Sequence, residues 1–147
     1  MGGHAYWYTV PYNEDLEVVL ADLREREFRA GRYNPAMRSI DFPITPASPA
    51  PGPRHDSIED ALAASGAEGT RSILDIQAIG DAPEFGTAGP LPPEILRGLY
   101  GTDRPTRAAV ETDDSFSEEI ERGTAVYVLL YEGDTPTEVY FTGCSCD

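Results

Sequence analysis

Residues 13–31 read NEDLEVVLADLREREFRAG, and in this stretch start signal, periodicity, charge order and stop signal agree on one long helix. Asn13 supplies an N-cap oxygen, and Glu14, Asp15 and Glu17 sit against the positive end of the helix dipole. Leu16, Val19, Leu20, Leu23 and Ala30 share one arc of a 3.6-residue wheel, so one face packs. Asp22 to Arg26 and Glu25 to Arg29 are spaced four apart in the favourable acid-first order on the other face. Gly31 tolerates the left-handed conformation that ends a helix, with Arg26, Arg29 and Arg32 at the negative end of the dipole. One residue breaks the pattern. Glu27 projects into the apolar arc between Leu16 and Leu20, where a carboxylate is costly unless it is paired and hydrogen-bonded. Either the last turn frays and releases it, or an arginine meets it.

Outward from this helix, residues 4–10 (HAYWYTV) are aromatic and β-branched and are closed by Pro11, which predicts an inner strand with apolar groups on both faces. Five prolines at 43, 46, 49, 51 and 53 exclude a helix or inner strand, so 43–56 is an extended loop. Ser57 caps a short helix over IEDALAAS that ends at Gly66. Residues 72–79 (SILDIQAI) read as a strand, and 80–92 as a glycine- and proline-rich connection leading to a two-turn helix from Pro93 closed by Gly101. Between 111 and 121 there are six acids and no basic residue, and Ser115 with Glu118 has capping-box spacing, predicting one short acidic helix. The end of the chain gives the clearest β signal, with AVYVLLY (125–131) and EVYFTG (138–143) forming a hairpin that turns at Gly133-Asp134. Its first arm is apolar on both faces, as a central strand requires. The order predicts one α+β domain over 1–147, a mixed or antiparallel sheet of about four strands with helix 13–31 on one face and strand 4–10 beside the hairpin.

Composition narrows function by exclusion. The chain of 147 residues has 26 acidic residues against 11 basic ones, a formal net charge of -15, and all the basic residues are arginine. Such a balance argues against nucleic-acid binding through phosphates. No run approaches the roughly 20 apolar residues of a membrane helix, and the first residues lack a secretory pattern, so the expected location is cytoplasmic. Cys144 and Cys146 are too few and too close for a disulfide framework and are expected reduced.

Candidate chemistry falls in two places. Removal of Met1 leaves Gly2-Gly3-His4, a nitrogen set suited to Cu or Ni, and His4 with Cys144 and Cys146 offers ligands for Zn. The only basic island is at the helix end, where Arg24, Arg26, Arg29, Arg32 and Arg38 lie close to Glu27 and Tyr33 and offer forked donors to an anionic ligand. Neither cofactor nor catalytic triad, phosphate loop or informative carboxylate pair is indicated.

The segments HAYWYTVPYNEDL and LREREFRAGRYNP resemble the opening of a family of small acidic proteins from GC-rich actinobacteria, a resemblance that implies no activity or site for these residues. Two function classes follow. The first is an acidic non-enzymatic interaction module, such as an immunity or inhibitor protein that covers a basic protein partner. The second is a small enzyme or ligand-binding domain using Glu27 and the arginine island.

Overall fold

The computed structural model describes residues 3–38, 41–45 and 47–146. Five strands, β1 (Ala5–Pro11), β2 (Ala78–Ile79), β3 (Thr87–Pro90), β4 (Ala125–Glu132) and β5 (Thr135–Cys144), form one sheet in the order β1-β5-β4-β3-β2. β1 runs antiparallel to β5 and β5 to β4, whereas β4, β3 and β2 are parallel. The class is α+β with a mixed sheet, as the element order predicts. The expected strand count of four is corrected to five.

Both faces of the sheet are covered, which explains why β1 and β4 carry apolar residues on both faces. On one face α1 (Leu16–Ala30) sets Val19, Leu20 and Leu23 against Tyr6, Tyr8 and Val10 of β1 and Val139 and Phe141 of β5. On the other, Leu96 of α3 (Pro93–Tyr100), Val110 of α4 (Arg107–Thr112) and Phe116 meet Val126, Val128, Leu130 and Tyr140. A third cluster joins Phe28 and Tyr33 to Ala61 of α2 (Ile58–Ser65) and to Leu74.

Several expectations shift for identifiable reasons. The N-cap of α1 is Asp15, whose side chain accepts from Glu17 N–H, while Asn13 accepts from Asp15 N–H one step upstream. The C-cap is Gly31 in the left-handed region (φ 76°), as predicted. β1 is the outer strand of the sheet, not an inner one, and a lone parallel bridge from Tyr6 to Ile44 covers part of its free side. Residues 72–79 are not a strand: Ser72 accepts from Leu74 N–H and starts a 3-10 turn over Ile73–Asp75, leaving only β2 extended. That turn buries Ile73, Leu74 and Ile76 completely, so the unbroken apolar run reflects a buried turn.

Conversely, β3 lies within the glycine- and proline-rich connection. Its register, Ala88 opposite Ala125 and Gly89 opposite Val126, borrows order from β4, and a Cβ on Gly89 would collide with the backbone of Ala82 and Pro83. The acidic run is not one helix. α4 ends at Thr112, and a separate 3-10 turn covers Ser115–Glu119 with no side-chain cap. Asp113 intervenes, accepting from both Ser115 N–H and Ser115 Oγ–H, which offers the backbone a local alternative to helix. Ser57 and Pro93 start their helices as expected.

Candidate functional site

At the C-terminal end of α1 the misfit residue finds its partners. Glu27 is 1% exposed. Arg32, just past the Gly31 cap, gives it a two-pronged pair, Nε to Oε1 at 2.9 Å and Nη2 to Oε2 at 2.8 Å, and Arg26 adds Nε to Oε2 at 3.1 Å. The turn enforced by Gly31 brings Arg32 back beneath its own helix, with Arg32 N–H bonded to the Glu27 carbonyl. The hydrogen bonds that Arg32 donates to Glu27 hold its guanidinium above its usual pKa. Two cations around one anion leave a local excess of one positive charge inside a strongly acidic chain. Arg26 spends only its Nε–H on Glu27 and remains half-exposed, so its terminal donors face outward.

This cluster floors a cleft of about 460 Å³ that opens over the free edge of β1. Trp7, Tyr8 and Thr9 reach it from β1, Thr45 from the proline-rich loop, Arg107 and Glu111 from α4, and Tyr140 from β5. Tyr8 accepts from Ile73 N–H through its hydroxyl, and burial, with the Glu27 charge adding to it, pushes its pKa well up, so it stays a neutral phenol. Burial, reinforced by Asp114, lifts Tyr140 to about 12. At the far wall Arg107 is held between Glu111 and Glu138 at 3.2 and 3.1 Å. The cleft therefore offers guanidinium donors at one end, aromatic walls and a carboxylate-lined end at Glu111 and Asp114.

Of the residues singled out at the helix end from the sequence, Glu27, Arg26 and Arg32 meet here. The other four lie elsewhere. Arg24 turns to the opposite side, giving Nη2–H to the Leu74 carbonyl; Arg29 pairs with Glu25 on the exposed face; Tyr33 is buried against Phe28, with His55 Nδ1 2.8 Å from its hydroxyl. Arg38 pairs loosely with Asp41. Trp7, Tyr140 and Arg107 were not foreseen, because they come together only through the sheet.

The proposed metal ligands gather at one sheet corner, since Ala5 pairs with Cys144 and His4 N–H donates to Ser145 Oγ. Gly2, the first residue of the expected copper site, lies outside the described residues. Both thiols are free, and burial pushes both upward in pKa, which disfavours the thiolate a soft metal requires. Among the described residues no three His, Cys, Asp or Glu side chains are grouped to hold a metal ion. Nor, among those residues, is any helix long and apolar enough to cross a membrane. No protein-family model, curated protein or solved structure matches this chain.

Proposed function

We propose that the chain is a small-ligand-binding domain and that its ligand places an anionic group, a carboxylate or phosphate, on Arg26 and Arg32 with a planar body against Trp7 and Tyr140. The observation that carries this reading is the buried Glu27, which fixes Arg32 in place and leaves outward donors on Arg26 at the floor of a concave site. Such a carboxylate preorganises the cation that meets the ligand, so little side-chain freedom is lost on binding. Ring stacking on Trp7 and Tyr140 supplies the apolar contribution. Among the described groups facing the cleft, none is paired as nucleophile and base, which favours binding over catalysis. The free thiols fit a reducing, cytoplasmic setting.

Trp7 is the only tryptophan, so its fluorescence reports on the cleft directly. Titration with phenyl phosphate and with 3-phenylpropionate should quench or shift that emission saturably, with Kd of about 1 mM or tighter. Arg26→Gln should weaken binding about ten-fold without unfolding the protein, because Arg32 still pairs with Glu27. Phenethylamine, of like shape and opposite charge, should not compete. A flat titration with both anions, or equal binding of the amine, refutes the assignment.

The interaction-module reading has an observation of its own, an apolar groove with acidic walls on the opposite side of the sheet from α1.

A further inference from the structure

Between α3, the 3-10 turn Ser115–Glu119 and the start of β4 lies a groove of about 350 Å³. Leu91, Ile95, Phe116 and Ile120 give it an apolar floor, and Glu119 and Glu121 stand in its walls. Ile95 is 47% exposed on the outer side of α3, one residue before the buried Leu96. Phe85, two residues after the groove-lining Pro83, is 78% exposed, the most open large apolar side chain among the described residues.

Phe85 is held out by a defined turn. Thr87 N–H donates to the Glu84 carbonyl at 2.9 Å, Gly86 takes φ 75°, and Gly86 N–H donates to the Gly123 carbonyl at 2.8 Å. The ring rests over Gly123, where a Cβ would come within 2.6 Å of it, so a side chain at 123 would displace Phe85. One exposed apolar group, Ile95, thus lines the groove, and a second, Phe85, sits between the groove-lining Pro83 and the Gly123 that precedes the groove-lining Thr124, an arrangement expected of an interaction site more than of scattered surface residues.

Charge selects the occupant. No arginine lines the groove, and the stem of Arg122 is turned toward Gly3. Glu84 and Glu94, next to Phe85 and Ile95, and Glu118 are exposed too, and among the described residues no ion pair involves these three, Glu119 or Glu121. We propose that this groove docks a basic protein segment, which inserts an apolar side chain between Ile95, Phe116 and Ile120 and sets arginine or lysine against Glu119 and Glu121. This surface is separate from the cleft at Glu27 and stands or falls without it.

The test uses the full chain and a fluorescein-labelled amphipathic helix of leucine and lysine, followed by anisotropy at about 150 mM salt, where unspecific attraction between exposed charges is largely screened. Saturable one-to-one binding is expected. The double variant Phe85→Ser, Ile95→Ser should weaken it at least ten-fold while leaving the melting curve unchanged, as both side chains are exposed. Glu119→Gln with Glu121→Gln should weaken it and flatten its salt dependence, and Arg26→Gln should leave it untouched. Unchanged affinity in the Phe85/Ile95 variant would overturn the proposal, leaving only diffuse acid–base attraction. So would loss of peptide binding in Arg26→Gln, or a dimer of the free protein that Ile95→Ser dissociates, since then the occupant is a second copy.

Discussion

Glu27 shows what a single misplaced charge tells. Its position in the apolar arc of α1 is apparent from spacing alone, but its two partners come from the cap geometry that folds Arg32 back and from the preceding residue on the same turn. Because it is buried and takes three donors, Glu27→Gln should cost about 3 kcal/mol in urea unfolding, the range for breaking one side of a buried pair. Arg26→Gln should cost less than about 1 kcal/mol, since that side chain is half-exposed. Equal losses would mean that Arg26, not Arg32, is the principal partner. Asp75 makes a second prediction at this scale. It accepts from Thr70 N–H and Oγ–H through Oδ1, while buried Oδ2 has no hydrogen-bond partner among the described residues, and burial raises its pKa. A group with a raised folded pKa binds more protons folded than unfolded, so its contribution is full below the unfolded value near 3.8 and is lost as pH rises through the folded value. The stability of the natural protein relative to Asp75→Asn should therefore fall as pH rises from about 4 toward neutrality. A difference that grows over that window would show Asp75 acting mainly as a charged acceptor.

Elements with complete local signals match their sequence expectations: α1, the Ser57-capped α2, α3 from Pro93 to Gly101, and the hairpin turning at Gly133. Those that differ depend on neighbours. β3 has only four residues, and its glycine and proline mask a strand that exists because β4 offers a ladder. The 72–79 segment misleads the other way, because a 3-10 turn buried on several sides is as apolar as a strand. At the end of α1 the helix and the proline-rich loop meet through glycine. Gly52 N–H donates to the Ala30 carbonyl at 2.9 Å, and a Cβ on Gly31 would collide with Gly52 backbone. Gly31→Ala combines that collision with the cost of about 1–2 kcal/mol for a side chain in the left-handed region. It should destabilise by more than that, and because Arg32 follows directly, it should also disturb the Trp7 emission. Gly101→Ala, at a helix C-cap in the same left-handed region (φ 73°) but with open space around it, is the control and should cost only the conformational part.

For the molecule as a whole, charge was the feature most plainly written in the sequence, and the cleft the least. Composition shows the acid surplus, but no spacing rule places Trp7, Arg107 and Tyr140 around Glu27, because they sit on three elements brought together only by strand order. The structure also shows where the arginines go: Arg29, Arg38, Arg97, Arg104 and Arg107 all pair with the chain's own carboxylates at its surface. With 26 acids against 11 arginines, most exposed acids still face one another across water. Salt then has two opposed effects. It weakens the exposed pairs, each worth about 0–1 kcal/mol, and it screens the repulsion behind a net charge of -15. The second should win, because the surplus acids outnumber the surface pairs and the buried Glu27 pair is shielded from salt. Raising NaCl from about 10 mM to about 500 mM at neutral pH should lift the melting temperature by several degrees, a gain of about 1 kcal/mol or more. A melting temperature that falls over the same range would show that the surface pairs contribute more than the repulsion they offset.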